Sequence, residues 1–170
     1  MAQPLPKPAL RPILPADIPF LAAIFSASIE DLTADDYSEE QRAAWAAAAD
    51  DMGEFAARLS SQLVLVATVA DAPVAFISLK GPDHIDMLYV HPGVARQGIA
   101  TLLCDAIERL AAARGAAQLT VDASDTAVLF FDRRGFEPQQ RNMAMVGGEW
   151  LGNTRMIKRL TKAEPKSVSQ

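Results

Sequence analysis

The sequence predicts a single α/β domain built on a mixed, mostly antiparallel sheet flanked by helices. Three observations carry that prediction. Helical patterns are grouped early in the chain, and hairpin-linked strand patterns follow with two helices interposed. The chain has 170 residues, half of them hydrophobic, which is enough to bury one substantial core. No internal repeat and no linker divides it.

Taken in order, the proline-rich start "MAQPLPKPAL" reads as an extended, flexible lead-in over residues 1–9. A short strand follows near Leu10 to Leu14. Asp17 then caps a helix whose apolar stripe is Phe20, Leu21, Ile24, Phe25 and Ile29. In "YSEEQRAAWAAAADDM", Ser38 and Gln41 have capping-box spacing, and Glu39 and Glu40 suit the first-turn dipole. Asp50, Asp51 and Gly53 weaken this second helix, and "EFAARLSS" resumes it. "LVLVATVADAPVAFISLKG" predicts two strands joined near Asp71 to Pro73, and "HIDMLYV" a third. A helix from Gly98 places Ile99, Leu103, Ala106, Leu110 and Ala113 on one face and stops at Gly115. "AQLTVDAS" is the next strand and "DTAVLFFDRRGF" a short helix ending at Gly135. "RNMAMVGGEWLGNTRMIKRL" closes the domain as a hairpin turning within Gly147 to Glu149. The domain is expected over residues 10–160, with a mobile tail over 161–170.

Composition narrows the function classes. A net charge of −5 offers no basic face for nucleic acid. No apolar run reaches membrane-spanning length, and the N-terminus lacks the regions of a signal peptide, so a cytoplasmic protein is expected. One cysteine, Cys104, precludes an internal disulfide and sits in a helical apolar pattern as a small core residue. With two histidines and that cysteine, no metal site is expected.

The informative stretch is "YVHPGVARQGIATLL", residues 89–103. It leaves a strand, turns through Pro92 and Gly93, and enters a helix at Gly98. The first amides of a helix lack intrahelical partners and carry the positive end of its dipole, so a turn that exposes them binds anions, most often phosphate. An ordinary strand-to-helix connection would look the same. The glycines five apart lack the Lys-Ser/Thr ending of a nucleoside-triphosphate loop.

Together, residues 84–136 resemble the acetyl-coenzyme A-binding core of the GCN5-related N-acetyltransferases. The order is shared: strand "IDMLYVHP", turn "ARQGIA", helix, strand, then "TAVLFFDRRGF". The outer segments "DYSEEQRAAW" and "TRMIKRL" resemble a subgroup of small bacterial acetyltransferases of unassigned substrate. The resemblance implies splayed central strands, with the pantetheine arm of acetyl-coenzyme A along Leu88, Tyr89 and Val90. It implies the pyrophosphate at Arg96, Gln97, Gly98, Ile99, Ala100 and Thr101. Ala95 departs from the family pattern, which has arginine or glutamine there, so Arg96 or Gln97 supplies the side-chain contact. Ser124 stands where an asparagine is usual and retains a hydroxyl for the cofactor arm. Phe131 stands where a proton-donating tyrosine is usual.

The implied reaction is direct attack of an amine on the thioester. Asp86 is the first candidate for the base and His84 the second; strand periodicity puts both on the side of Leu88. Asp86 reads equally as a strand-end residue paired with a cation, and His84 as an exposed loop histidine. Asp122 and Asp125 match no role. Tyr37 and Trp45 fall on the acceptor side in this family; Trp45 also reads as a core anchor. Arg133 and Arg134 read as solvated cations at a helix end. The partners expected are acetyl-coenzyme A and an amine, small molecule or protein, in a monomer or homodimer. A non-catalytic acyl-coenzyme A sensor is the alternative, kept open by Ala95 and Phe131.

Overall fold

The computed structural model describes residues 6–160; the expected tail and the first five residues of the lead-in lie outside them. Seven strands form one sheet: β1 (Ala9–Pro12), β2 (Leu63–Val69), β3 (Ala72–Lys80), β4 (His84–Val90), β5 (Gln118–Ser124), β6 (Glu137–Val146) and β7 (Glu149–Arg159). Their spatial order is β1-β2-β3-β4-β5-β7-β6, and every pairing is antiparallel except β4–β5. Helices α1 (Ile18–Leu32), α2 (Glu39–Ala46) and α3 (Met52–Ser60) precede β2. Helix α4 (Ile99–Ala113) connects β4 to β5, and α5 (Val128–Arg133) connects β5 to β6.

The sheet has a core on each face. On one side, Leu21, Phe25 and Ile29 of α1 and Phe55 and Leu59 of α3 pack on Val64, Val66, Phe76 and Met87. On the other, Leu103, Cys104, Ile107 and Ala111 of α4 pack on Ala75, Ile77, Ile85, Leu119 and Val121, joined by Phe131 and Phe136. Cys104 is buried as expected, and burial pushes its thiol up to about 12.

Several local expectations change. Asp17 does not cap α1 with its side chain. Its carboxylate turns back to the Leu14 amide (2.7 Å) and to Arg11, so it ties the end of β1 to the helix entry. Phe20 is 57% exposed because the α1 stripe is centred on Leu21 and Phe25. Opposite a polar face of Thr101, Asp105, Glu108 and Arg109, apolar residues cover more than half of the circumference of α4, so its periodicity admits two adjacent stripes. Ile99 and Leu103 of the expected stripe are buried, but packing turns the rest of the buried face to Cys104, Ile107 and Ala111, leaving Leu110 and Ala113 exposed. Arg134 is no solvated cation; it lies in a network with Asp105 (2.8 Å) and Glu108. The Ser38–Gln41 capping box forms in both directions, at 3.1 and 2.8 Å. Asp51 restarts the chain as α3 by accepting from the Glu54 amide. Gly147 and Gly148, both at positive φ, make the two-residue turn of the closing hairpin.

Two features of β4 position the site. β4 meets β5 only at His84↔Thr120 and Ile85↔Val121; beyond Ile85 the two parallel strands diverge. The β3–β4 register also slips by one, from Ser78↔Met87 to Leu79↔Ile85, which makes Asp86 a bulge residue. Simple alternation therefore fails across it. Ile85 and Leu88 both pack towards α4, whereas Asp86 reaches α3 on the opposite face. The expectation that Asp86 and His84 share the side of Leu88 is wrong for both, because one inserted residue inverts the alternation after it. His84 turns to Thr120 and Asp122 on the face opposite Leu88.

Candidate active site

Three adjoining cavities run from the start of α4, through the gap between β4 and β5, to the inner surface of the β6–β7 hairpin. The first has a volume of about 740 Å³ and is lined by Ala95, Arg96, Gly98, Ile99, Thr101 and Arg133. Here the chain makes a 3₁₀ turn over Pro92–Val94, then places Arg96 at φ +62° and Gly98 at φ +83° before α4 begins. Left-handed backbone at Gly98 costs a glycine little and lets the helix start abruptly. The first intrahelical bond from this turn is Leu102 N to Gly98 O (3.0 Å), so the amides of Ile99, Ala100 and Thr101 point outward without helical partners. Gln97 is exposed beside them.

The second cavity, about 230 Å³, lies in the splay and takes Leu88, Tyr89, Val90, Ser124 and Phe131 as walls. His91 N donates to Val74 O (2.8 Å) across β3. Counting back by the antiparallel alternation, the amides of Tyr89 and Met87 face β3, and those of Val90 and Leu88 face the gap. Those two amides are the backbone donors the splay exposes. Ser124 Oγ accepts from the Ala127 amide (3.2 Å), so it steers the turn into α5 while lining the cavity. Phe131 is 2% exposed, stacked edge-on against Phe130 and Phe136.

The third cavity, about 140 Å³, is bounded by Tyr37, Trp45 and Tyr89 against Leu151, Gly152 and Asn153 of β7. Tyr37 is buried. Its hydroxyl donates to Gly152 O (2.6 Å) and accepts from Asp125 N (2.8 Å), fastening the α1–α2 connection to the ends of β5 and β7. Gln41 Nε2 donates to Trp150 O (2.7 Å), so α2 sits over the hairpin. Trp45 Nε1 donates to the Tyr89 hydroxyl (3.2 Å), and burial pushes that phenol up to about 12. Trp45, Tyr89, Asp122 and Ser124 line both the second and third cavities, and mark where they meet.

Of the acid–base candidates, Asp86 lines the second cavity and His84 stands behind Asp122. Asp86 Oδ2 accepts from Arg58 Nε (2.9 Å) and Gln62 Nε2 (2.8 Å). Burial favours its protonation, but the hydrogen bonds from Arg58 and Gln62 outweigh that and hold its pKa below the ordinary value. His84 lies in β4 rather than in a loop. Its Nδ1 is 2.7 Å from Thr120 Oγ1, and its Nε2 is 3.8 Å from Asp122 Oδ2. Asp122 in turn accepts from Arg155 on both oxygens, at 2.9 and 3.0 Å.

Sequence reasoning left Asp122 without a role and passed over Asn153. For Asp122 a signal existed, since it stands two residues before Ser124 on β5 and so shares its face. For Asn153 none did; its place opposite Ser124 comes from the β5–β7 register alone.

Comparison with known proteins agrees with this architecture. Residues 33–160 match the Acetyltransferase (GNAT) domain family. An uncharacterized N-acetyltransferase, YafP, of Escherichia coli (strain K12) is 34% identical over 147 residues, covering 86% of this chain and 93% of the relative. The crystal structure of a GCN5-related N-acetyltransferase from Rhodopseudomonas palustris superposes with a TM-score of 0.90 at 61% identity, covering 94% of this chain and all of that one. At 19% identity, the PaiA N-acetyltransferase of Thermoplasma acidophilum, solved with coenzyme A, shares the fold with a TM-score of 0.74 over 90% of this chain and 99% of its own. The chain belongs to the GCN5-related N-acetyltransferase family, and is an acetyltransferase.

Proposed function

We propose that the protein moves an acetyl group from acetyl-coenzyme A to an amine by direct attack on the thioester. The observation that carries the reading is the continuity of the splayed β4 edge with the uncapped amides of α4. An extended arm and a pyrophosphate fit that sequence of donors in one direction only. Bound acetyl-coenzyme A supplies the activated acetyl group. Ile99, Ala100 and Thr101 offer amides to its phosphates, with Arg96, Gln97 and Arg133 adding side-chain contacts. Leu88 and Val90 pair with the pantetheine arm as a neighbouring strand would. The Leu88 amide is the donor placed to polarise the thioester carbonyl as negative charge develops there.

The amine enters from the third cavity and meets the thioester at the junction lined by Trp45, Tyr89, Asp122 and Ser124. Asp86 and Asp122, both ion-paired carboxylates, hold the incoming ammonium and pass its proton to solvent through water. His84 stands behind them as a second proton acceptor. Tyr37 and Trp45 shape the acceptor side.

A second reading is an acyl-coenzyme A sensor, and Phe131 favours it because a phenyl ring donates no proton. Two measurements separate them. Coenzyme A at a hundred times its dissociation constant should stabilise the fold by about 2.7 kcal/mol, with NAD and ATP doing much less. Thiol release from acetyl-coenzyme A with an amine panel then favours transfer, and tight binding without release favours the sensor. No thermal shift at millimolar cofactor would remove both.

A further inference from the structure

Charge is segregated along the three cavities. The phosphate end is lined by Arg96 and Arg133. Among the described residues, no lysine or arginine lines the second or third cavity; their charged lining residues are Asp86 and Asp122. The arginines that stand near are engaged: Arg58 by Asp86, Arg155 by Asp122, and Arg141 by Asp125. A carboxylate entering here would find no cation that is not already held by an aspartate, whereas an ammonium could donate to the remaining lone pairs of the two ion-paired carboxylates.

The third cavity adds shape and one unmet hydrogen bond. Tyr37, Trp45 and Tyr89 stack edge to face around it, with centroids 5.4 and 6.3 Å apart. Such rings take an apolar body and attract a cation through their faces. The volume of about 140 Å³ matches the roughly 150 Å³ of a void that accommodates benzene. Among the described residues Asn153 Oδ1 has no protein hydrogen-bond partner and is buried, and Asn153 lines the third cavity opposite Ser124. A buried carbonyl oxygen left unpaired is costly, so a donor from the ligand belongs there.

Resting on the acetyl-transfer reading, we propose that the acceptor is a small free monoamine: a primary ammonium on an apolar body about the size of one ring, with no carboxylate. Its ammonium lies between Asp122 and Asn153 Oδ1, and its body lies against Tyr37 and Trp45.

The test is a thiol-release assay on the full chain with three probes: phenethylamine, L-phenylalanine and a peptide carrying one lysine and a blocked N-terminus. Phenethylamine should exceed L-phenylalanine, which differs only by a carboxylate, by about a hundredfold in kcat/KM. Asn153→Leu, checked for native circular dichroism, should raise KM for phenethylamine about tenfold while leaving KM for acetyl-coenzyme A unchanged. Equal use of L-phenylalanine would overturn the proposal, and so would turnover of the peptide with phenethylamine inert. Calorimetry makes the two levels separable. Cofactor binding with none of the amines acetylated overturns this proposal alone, whereas absence of cofactor binding overturns the acetyl-transfer reading beneath it.

Discussion

Phe131 leaves the departing thiolate without the proton donor that a tyrosine in its place would supply. The ring is 2% exposed between Phe130 and Phe136. Tyr89 is the tyrosine that lines the same cavity, and its hydroxyl accepts from Trp45 Nε1. Among the described residues that hydroxyl donates to no protein group, so its own proton is available. Tyr89→Phe should lower kcat about tenfold with little change in acetyl-coenzyme A affinity. Adding Phe131→Tyr to that variant should restore part of the loss; a merely structural Tyr89 would show no such rescue.

Asp86 also acts at the residue scale. Its pKa is depressed, so it is ionised across the neutral range and is a weak base. Asp86→Asn should therefore cost about tenfold in kcat, short of the two to four powers of ten expected for loss of a full general base. The acidic limb of the rate profile near neutrality should remain in the variant, because a carboxyl held below its ordinary pKa does not titrate there. Disappearance of that limb in Asp86→Asn would assign the base to Asp86 after all.

Among the elements, α4 makes the testable commitment. Gly98 stands at φ +83°, and a Cβ added there would meet nothing within 4 Å. Gly98→Asp therefore has room, and its cost to the fold is the left-handed strain of about 1–2 kcal/mol. The carboxylate would instead oppose the pyrophosphate at the helix N-terminus. Native circular dichroism with cofactor binding abolished is the expected outcome, while Gly98→Asn, which tolerates this conformation, should bind measurably. Retention of full affinity in Gly98→Asp would place the phosphates elsewhere.

For the molecule as a whole, the ion pairs and the buried weak acids set the pH range of the fold. Asp17, held by Arg11, and Asp86, held by Arg58 and Gln62, have folded pKa values below their ordinary 3.8. Their stabilisation is fully present above that value and is lost as pH falls through the folded pKa. Cys104 and Tyr89 are raised by burial from 9.0 and 10.0 to about 12. Their stabilisation is present below the ordinary values and is lost as pH rises towards 12. Melting temperature should thus fall on acidification below pH 3.8 and again above pH 9. Cys104→Ala should flatten the alkaline side, and an unchanged alkaline slope would mean that Cys104 contributes nothing to it.

The order of elements, the left-handed turn into α4 and the two-residue hairpin turn were legible in the sequence because each depends on neighbours within a few positions. Capping at Ser38 and Gln41, the helix entry at Gly98 and the glycine pair at 147–148 are local devices, and local chemistry determines them. Which edge of the apolar face of α4 is buried was not legible, because that face covers more than half of the helix and only the sheet beneath selects a side. The face of Asp86 was not legible either: Asp86 is itself a bulge residue, opposite the Ser78–Leu79 step of the neighbouring strand, and reverses the alternation. Its partner Arg58 lies 28 residues away on α3. Asn153 acquired its position from pairing with Ser124, and Asp122 its arginine from pairing with Arg155. Sequence determined the fold class and the proposed phosphate end of the site, whose backbone donors belong to one short segment. Tertiary structure alone decided the acceptor end, because its walls come from the α1–α2 connection, α2, β4, β5, β6 and β7, brought together by a register that no single segment encodes.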